Sequence, residues 1–303
     1  MGLGVEVGSV GLPNPVMTAS GTSGHGAELA AYGPLDRLGA VVVKSLAAEP
    51  WPGNPPPRLH HAPAGMLNSV GLQGPGVEAW LEHELAALER VGARVVASIW
   101  GRTVDGYAKA ATALAAAPEA VVAVEVNLSC PNLEGGQHLF AQSCAATADA
   151  LEAAKAANRP LWAKLTPNVT DLVEVAAAAA DAGAEAVTLI NTLLAMAIDV
   201  EARRFRLGAG GGGLSGPAIH PAAVRAVHDV HVAVPDLPIV GVGGVVSGVD
   251  AVELMMAGAT AVQVGTATFA DPRAPWRILD ELATWCVRHG VDRVADMVGV
   301  VHG

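Results

Sequence analysis

The sequence has few cysteines and few aromatic residues, and both shortages restrict what the chain is built to do. Aromatic residues make up 4% of it, which suits alternating helices and buried strands better than an aromatic-rich sandwich. The three cysteines are Cys130, Cys144 and Cys286, and no two of them form a CxxC pair. This odd, scattered set excludes a disulfide framework and an iron–sulfur or cysteine-based zinc site within the chain. We therefore predict no metal site, and a reducing cytoplasm is the simplest location.

Basic residues and long apolar runs are also scarce. Lys and Arg number 18 against 29 Asp and Glu, which gives a formal net charge of −11 at pH 7. An acidic chain is a poor partner for nucleic acid or an anionic membrane, although a local site can still bind a small anion. No run of about 18 apolar residues occurs, and the N-terminus has no basic start before an apolar stretch. We expect neither a membrane span nor a signal peptide.

The sequence does contain a large apolar fraction, arranged in short β-like runs. Of 303 residues, 51% are hydrophobic, which is enough to bury a sizeable core. The last six of eight runs are nearly pure apolar, as expected for parallel strands buried on both faces. The predicted strands are Val16–Ser20, Ala40–Ser45, Val95–Trp100, Val122–Asn127, Leu161–Leu165, Ala186–Asn191, Ile239–Val242 and Ala261–Val264. Helix-favouring stretches lie at 145–158, 171–183, 221–230, 248–258 and 276–290, and Gly183, Gly258 and Gly290 are their predicted C-terminal caps.

This strand–helix rhythm predicts an α/β fold of the TIM (β/α)8 barrel type, with residues 1–303 as a single domain. A doubly wound parallel sheet is the rival fold, but it usually needs fewer strands. Two connections, 46–76 and 192–216, are longer than barrel loops need to be. We expect them to be either functional substrate-side loops or disordered. The run "GGGGLSG" at 210–216 is too flexible to interpret by itself.

The chemistry of such a barrel lies where its strands end, at the C-terminal face. The predicted ends are, in chain order, Ser20-Gly21-Thr22, Lys44-Ser45, Ser98, Asn127-Leu128-Ser129-Cys130, Lys164, Asn191-Thr192, Gly243-Gly244 and Gly265-Thr266. Taken alone, a lysine here is often a solvated cap, an asparagine a turn former and a cysteine a small buried hydrophobe. Two lysines, two asparagines and a thiol at independently predicted ends are harder to dismiss, because all of them would meet at one mouth.

Glycines at the last two strand ends give a second signal. "GVGG" (241–244) ends the seventh predicted strand, and Gly265-Thr266 ends the eighth. Barrel loops at these positions often bind a phosphate through backbone N–H groups, and glycine lets the backbone approach closely. The residues alone thus indicate a barrel enzyme with a phosphate-bearing ligand, two lysines and a candidate acid–base thiol. They leave the reaction open.

Four other reactive residues fit ordinary structural roles. Cys144 and Cys286 fall in helical patterns, and we interpret both as structural. His60 and His61 sit in a proline-rich stretch, where solvated loop histidines are commoner than ligands.

Ordered motifs along nearly the whole chain resemble those of the class 1 dihydroorotate dehydrogenases, which are FMN-dependent (β/α)8 barrels of pyrimidine biosynthesis. The motifs are "NPVMTASGT" (14–22), "VVVKS" (41–45), "GMLNSVGLQGPG" (65–76), "VEVNLSCPN" (124–132), "WAKLTPN" (162–168), "LINT" (189–192), "AMAID" (195–199), "GGLSGPAI" (212–219), "GVGGV" (241–245) and "AGATAVQVGTATF" (257–269). The residues of these motifs are most similar to those of class 1B, whose catalytic subunit pairs with a second subunit.

The resemblance implies that the chain oxidises (S)-dihydroorotate to orotate. Cys130 would be the general base that takes the proton from C5, and the hydride from C6 would pass to FMN; Lys44 is the second predicted catalytic residue. The implied substrate contacts are Lys44, Asn68, Gly71, Leu72, Asn127, Asn132, Asn191 and Thr192. The implied flavin contacts are Ser20, Gly21, Lys44, Ser45, Ser98, Asn127, Lys164, Ile190, Gly216, Gly243, Gly244, Gly265 and Thr266. The segment from Cys130 to Cys144 would be the substrate lid.

The class also implies partners. Class 1B resemblance implies a homodimeric core joined to a subunit that carries FAD and a [2Fe–2S] cluster and passes electrons to NAD. Class 1A homodimers, which reduce fumarate, are the alternative. Class 2 enzymes carry an N-terminal membrane extension and a serine base, whereas the base position here is Cys130. The chain differs from the usual class 1B pattern at Ser98 and Gly74, where Asn is usual, and at Ala195, where Gly is usual.

Two other functions stay open at this point. The flavin domain of dihydropyrimidine dehydrogenase shares the barrel and an NxSCP loop and acts on uracil or thymine. It has His where this chain has Asn132, and it carries iron–sulfur motifs that this chain lacks. A barrel that binds FMN without turning over a substrate is the second alternative. Cys130, Lys44 and Lys164 argue against it, because all three are present.

Overall fold

The structure is a computed structural model that describes residues 1–129 and 139–303. The strands in these ranges are β1 (Val5–Val7), β2 (Val10–Leu12), β3 (Val16–Thr18), β4 (Val41–Val42), β5 (Leu59–Ala62), β6 (Gly65–Asn68), β7 (Val95–Ile99), β8 (Val121–Asn127), β9 (Leu161–Lys164), β10 (Ala186–Leu189), β11 (Leu193–Met196), β12 (Ile198–Asp199), β13 (Arg204–Phe205), β14 (Gly211–Ser215), β15 (Ile239–Val242) and β16 (Ala261–Val264). The α-helices are α1 (Val77–His83), α2 (Leu85–Arg90), α3 (Val104–Leu114), α4 (Cys144–Ala154), α5 (Leu172–Asp181), α6 (His220–Ala233), α7 (Gly248–Ala257), α8 (Ala267–Ala270) and α9 (Ala274–Arg288). Short 3₁₀ helices lie at Glu28–Ala31, Leu35–Arg37, Phe140–Gln142, Lys155–Ala157, Pro217–Ile219, Val294–Met297 and Val300–His302.

Eight of the strands form one parallel sheet in the order β3-β16-β15-β10-β9-β8-β7-β4. The ring closes between β4 and β3. There the Thr18 amide donates to the Ala40 carbonyl at 3.3 Å, and the Val42 amide donates to Thr18 Oγ1 at 2.9 Å. Helices follow the strands, although two 3₁₀ helices stand in the position of the first. The predicted TIM barrel is confirmed.

All eight barrel strands lie where the sequence predicts them. Strands β15 and β16 have the predicted bounds, whereas β3, β4 and β10 end earlier than predicted. The residues beyond these ends, such as Ser20, Lys44 and Asn191, line a cavity.

The core follows from the composition. Every residue of β9, β10, β15 and β16 is buried, since these strands face the barrel interior on one side and helices on the other. The predicted helix caps are confirmed in their geometry. Gly258 caps α7 with φ of 128°, and Gly183 and Gly290 follow their helices with φ of 94° and 67°. These positive φ values favour glycine, because it has no Cβ to clash with the preceding turn.

The two long connections were expected to be loops, and this expectation was wrong in part. They pair with each other in a four-stranded sheet of order β11-β14-β6-β5. The run at 210–216 contains strand β14, and its glycines allow close approach. A Cβ on Gly213 would lie 2.0 Å from Thr192 Oγ1, and one on Gly212 would lie 2.3 Å from the Asn68 carbonyl oxygen. His60 and His61 lie in β5 of this sheet rather than in a loop.

The two described cysteines have the predicted helical positions. Cys286 is buried in α9, and burial raises the pKa of its thiol. Cys144 begins α4, where burial and the neighbouring Glu174 carboxylate raise the pKa of its thiol. Neither has the features of a reactive thiolate. Among the described helices, none combines the length and the apolar character needed to cross a bilayer.

Candidate active site

A cavity of about 560 Å³ lies between the C-terminal ends of the barrel strands and the four-stranded sheet. This volume lies in the range of roughly 300–1,000 Å³ that is typical of small-molecule sites. The cavity brings together these predicted site residues: Ser20, Gly21, Lys44, Ser45, Asn68, Gly71, Leu72, Asn127, Lys164, Ile190, Asn191, Thr192, Gly216, Gly243, Gly244, Gly265 and Thr266. They come from both long connections and from most of the strand ends, so residues far apart in sequence share one wall.

Three predicted residues are not among the described residues that line the cavity. Cys130 and Asn132, and most of the predicted lid, lie outside the described residues. Ser98 is buried behind the wall, where its Oγ lies 2.9 Å from Ser45 Oγ. The predicted contact of Ser98 with a flavin stays a prediction, and its direct partner in the structure is Ser45.

A larger groove of about 740 Å³ runs along α9 on the surface. It contains none of the predicted residues, and its charged groups are largely paired with one another, as Arg37 is with Asp280 at 2.7 Å. The smaller cavity is therefore the better candidate for the chemistry, since it lies at the strand ends and collects the polar groups.

An amide and hydroxyl network forms one wall of the cavity. Asn127 Nδ2 donates to Ser45 Oγ at 3.1 Å, and Asn191 Nδ2 donates to Asn127 Oδ1 at 3.2 Å. Ser45 Oγ also lies 3.2 Å from Ser20 Oγ. These bonds fix the orientation of both amides. A 180° flip of either side chain would exchange its oxygen and its NH₂ group and place two donors or two acceptors opposite each other. Ser129 lines the same wall, and its buried Oγ has no hydrogen-bond partner within the described residues.

Lys44 lines the cavity beside Gly21 and His25. Gly21 has φ of +91°, and a Cβ there would lie 3.3 Å from Lys44 Cδ, so the backbone leaves room for the lysine chain. Burial lowers the pKa of His25 and the Lys44 ammonium lowers it further, with Glu28 acting in the opposite direction. We therefore expect a neutral imidazole. The buried His25 Nε2 has no partner in the described part of the chain. Sequence reasoning missed His25.

The glycine rim, which we define as Gly216, Gly243, Gly244, Gly265 and Thr266, forms the side of the cavity at the ends of β14, β15 and β16. Its backbone is crowded from behind. A Cβ on Gly243 would lie 2.7 Å from Ala223 Cβ, and one on Gly244 would lie 2.6 Å from His220 Cβ. Gly216 and Gly244 also have φ of 94° and 70°. At Gly243 and Gly244 the rim is therefore built from backbone, and a side chain there would displace it.

His220 supports the glycine rim from outside the cavity. Its Nδ1 lies 2.7 Å from the Gly243 carbonyl oxygen, and its Nε2 lies 3.1 Å from Glu253 Oε2. A carbonyl oxygen only accepts, so Nδ1 must carry the proton and donate it. The sequence offered no signal for His220, because nothing in "AIHPAAV" distinguishes it from a helix-start histidine.

The polar cluster, which we define as Glu125, Lys164, Thr188 and Gln263, fills the barrel interior behind Lys164. Lys164 is 5% exposed and the other three are fully buried. Lys164 Nζ donates to Glu125 Oε1 at 3.3 Å and to Gln263 Oε1 at 3.4 Å. Glu125 Oε2 accepts from Gln263 Nε2 at 2.8 Å and from Thr188 Oγ1 at 3.2 Å. Only Lys164 had been predicted, although a Glu inside the apolar run "VVAVEVN" was a visible anomaly.

These features fit a flavin that carries a phosphate. The N–H groups of Gly244 and Thr266 donate no hydrogen bond within the described residues, so the glycine rim offers unused donors to an anion. Such a backbone cradle is typical of phosphate sites at this position of a barrel. Ser129 and His25 add buried polar atoms that have no partner among residues 1–129 and 139–303, and two lysines supply positive charge. The arrangement can hold an anionic, partly polar ligand of nucleotide size.

Comparison with known proteins gives consistent matches. The family model described as dihydroorotate dehydrogenase matches residues 2–285. A protein of Geobacter metallireducens is 46% identical over 99% of this chain and 98% of its own length. One of Alkaliphilus oremlandii is 46% identical over 98% of each chain, and one of Desulforudis audaxviator is 48% identical over 98% of this chain and 97% of its own. All three relatives carry the name dihydroorotate dehydrogenase B (NAD(+)), catalytic subunit.

Proposed function

The chain belongs to the dihydroorotate dehydrogenase family and is an oxidoreductase of pyrimidine biosynthesis, and we propose that its flavin is flavin mononucleotide. The observation that carries this proposal is the glycine rim on the cavity that gathers the predicted site residues. Flavin mononucleotide, when bound, supplies the acceptor for the hydride that leaves C6 of (S)-dihydroorotate. The glycine rim would hold its phosphate, and Ser20, Gly21, Ser45 and Lys164 would hold the rest.

The substrate side of the proposal rests on local charge and on oriented amides. Dihydroorotate is an anion and the protein carries a net charge of −11, so the attraction must come from groups inside the cavity. Lys44 is the cation on this side. Asn127 and Asn191 are held by each other and by Ser45, so their amides are preorganised for polar groups on a ring. Asn68, Gly71, Leu72 and Thr192 complete this part of the wall.

Oxidation to orotate also requires that a base remove the proton from C5. We propose Cys130 for this role; its side chain lies outside the described residues. A cation beside a thiol favours the thiolate, and Lys44 lines the same cavity as Ser129. Ser129, the residue before Cys130, lines the cavity and brings the chain to the site.

Anaerobic reduction tests the proposal. We expect L-dihydroorotate to bleach the visible flavin absorption of the wild-type protein loaded with flavin mononucleotide. A Cys130→Ala variant should be slower by a factor of about 100 or more, as is usual when a general base is lost. Cys286→Ala is the matched control, because this buried cysteine of α9 lies away from the cavity and its loss should leave the rate unchanged.

Two results would contradict the assignment. Wild-type protein that binds the flavin, is not bleached by dihydroorotate and is bleached by 5,6-dihydrouracil would belong with the dihydropyrimidine dehydrogenases. A flavin-loaded protein that no dihydropyrimidine reduces would be a binding protein only.

We also propose a homodimeric core joined to an electron-transfer subunit that carries FAD and a [2Fe–2S] cluster. The name of the relatives, a catalytic subunit of an NAD(+) enzyme, supports the second subunit. A [2Fe–2S] cluster held by thiolates takes four of them, and this chain has three cysteines. For the homodimer, the support is an exposed apolar strip at alternate positions of the β11–β12 region: Leu194, Met196, Ile198 and Val200, which are 67%, 54%, 56% and 75% exposed.

Sedimentation equilibrium tests the homodimer. We expect the catalytic chain alone to sediment at twice its mass of 30.5 kDa. Ile198→Asp should shift it to the monomer, because a buried, unpaired carboxylate opposes association. Val232→Asp is the matched control, since Val232 is 59% exposed but lies on α6. A wild-type monomer, or a dimer that both variants leave intact, would count against this interface.

A further inference from the structure

The polar cluster places a buried carboxylate directly behind the lysine of the cavity. Glu125 does not line the cavity and is fully buried inside the barrel, whereas Lys164 reaches the cavity wall. Strands β8, β9 and β10 are neighbours in the sheet and carry Glu125, Lys164 and Thr188, while Gln263 reaches the same point from β16. The cluster therefore connects four strands at one level of the barrel interior.

The cluster surrounds the Glu125 carboxyl group with hydrogen-bond donors. Its two carboxylate oxygens accept from three donors, namely Lys164 Nζ, Gln263 Nε2 and Thr188 Oγ1. Lys164 Nζ and Gln263 Nε2 can only donate, and each faces a different carboxylate oxygen of Glu125, so a carboxylate satisfies all three bonds. Burial of a lone carboxylate is costly, so the Lys164 ammonium at 3.3 Å is the compensating charge.

The same bonds orient Lys164. An ammonium group has three N–H donors, and Glu125 Oε1 and Gln263 Oε1 take two of them at 3.3 and 3.4 Å. The third has no acceptor within the described residues, and Lys164 lines the cavity. Gln263 makes the arrangement directional, because its amide donates to Glu125 while its carbonyl oxygen accepts from Lys164.

We propose that Glu125 is the positioning residue for Lys164: it holds the ammonium at the cavity wall and offsets much of its charge. It thereby lowers the reduction potential of the bound flavin below the value that an uncompensated lysine would give. The inference rests on the proposed function only in requiring a flavin in the cavity. Its physical basis is that reduction adds negative charge to the flavin, so a nearby cation favours the reduced form and a nearby carboxylate opposes it.

The reduction potential of flavin mononucleotide on the full-length protein tests this, by equilibration with a reference dye and a chemical reductant. We expect Glu125→Gln to shift the equilibrium at least tenfold toward reduced flavin, which is about 30 mV for a two-electron couple. Lys164→Gln should shift it at least tenfold toward oxidised flavin, because Glu125 then lacks its compensating charge. In the double variant, the ratio of reduced to oxidised flavin should return to within threefold of the wild-type ratio. Thr188→Val is the matched control, since it removes a hydrogen bond of the cluster without changing the charge of the cluster. Its ratio of reduced to oxidised flavin should stay within threefold of the wild-type ratio.

Each outcome decides the inference. A flavin-loaded Glu125→Gln protein with an unchanged potential, or one that shifts no more than Thr188→Val, would overturn it and leave Glu125 a purely structural role. If Glu125→Gln does not fold, Lys164→Gln and the double variant decide: two equal potentials there overturn the inference. A wild-type chain that binds no flavin mononucleotide overturns it as well. Because the reductant is chemical, a chain that binds the flavin but ignores dihydroorotate would refute the proposed reaction and leave this test intact.

Discussion

The glycine rim and the polar cluster face the same cavity, but the rim faces it with backbone and the cluster with a charged side chain. The rim presents mainly backbone, and Gly243 and Gly244 have no room for side chains: a Cβ on Gly244 would lie 2.6 Å from His220 Cβ. The cluster presents one side chain, Lys164, held from behind by the buried Glu125 and Gln263. One region uses the absence of side chains, and the other uses the charge of side chains, to act on a bound ligand.

The difference predicts which property of a bound flavin each region controls. The phosphate of flavin mononucleotide has the same charge whether the flavin is oxidised or reduced. A change at the glycine rim should therefore weaken both forms equally and leave the reduction potential unchanged. A change of charge in the polar cluster acts where reduction adds charge, so it should bind the two forms unequally and shift the potential. Affinity and potential measured on the same variants separate the two regions.

The largest effect on affinity is expected for Gly244→Ala. Its φ of 70° is unfavourable for alanine by about 1–2 kcal/mol, and the new methyl group would press on His220 Cβ and lie 2.9 Å from the Gly216 carbonyl oxygen. Overpacking of this kind costs about 1–3 kcal/mol. If the rim must move to accept the methyl group, affinity for flavin mononucleotide should fall about 100-fold, as measured by quenching of flavin fluorescence.

The control for this variant is Gly11→Ala in β2, where a Cβ would meet nothing within 4 Å and φ is not positive. It should bind the flavin as the wild type does. The comparison between the regions would fail if Gly244→Ala kept its affinity, or if it shifted the potential as strongly as Glu125→Gln does.

The sequence predicted the barrel and the glycine rim well, for a reason that lies in local chemistry. A strand buried on both faces is usually a short, nearly pure apolar run; β15 is one, β16 is one apart from Gln263, and glycine follows each of them. The residues that follow each strand can then be assigned to the C-terminal face of the barrel, because all of its parallel strands end on that face. Lys44, Asn127 and Lys164 were placed in the cavity by this rule alone.

The polar cluster and the four-stranded sheet could not be predicted from local sequence patterns. Gln263 contacts Glu125 from a strand 138 positions away in sequence, and the register that brings them together is set by the closure of the barrel. The pairing of β14 with β6 likewise joins two segments that look like loops. Both depend on which strands become neighbours across the fold, which periodicity does not encode.

A smaller effect is expected for His220→Ala, which sharpens the comparison because His220 bonds the rim and no residue of the polar cluster. Loss of the bond from Nδ1 to the Gly243 carbonyl oxygen should cost about 1 kcal/mol, so affinity for flavin mononucleotide should fall about fivefold. Glu253 is partly exposed and can be hydrated when the imidazole is removed. His228→Ala is the matched control on the same helix, because its ring contacts Asp229 and His302 and not the rim. In both variants we expect the ratio of reduced to oxidised flavin to stay within threefold of the wild-type ratio. A His220→Ala protein with unchanged affinity and a shifted reduction potential would show that the rim also acts through charge.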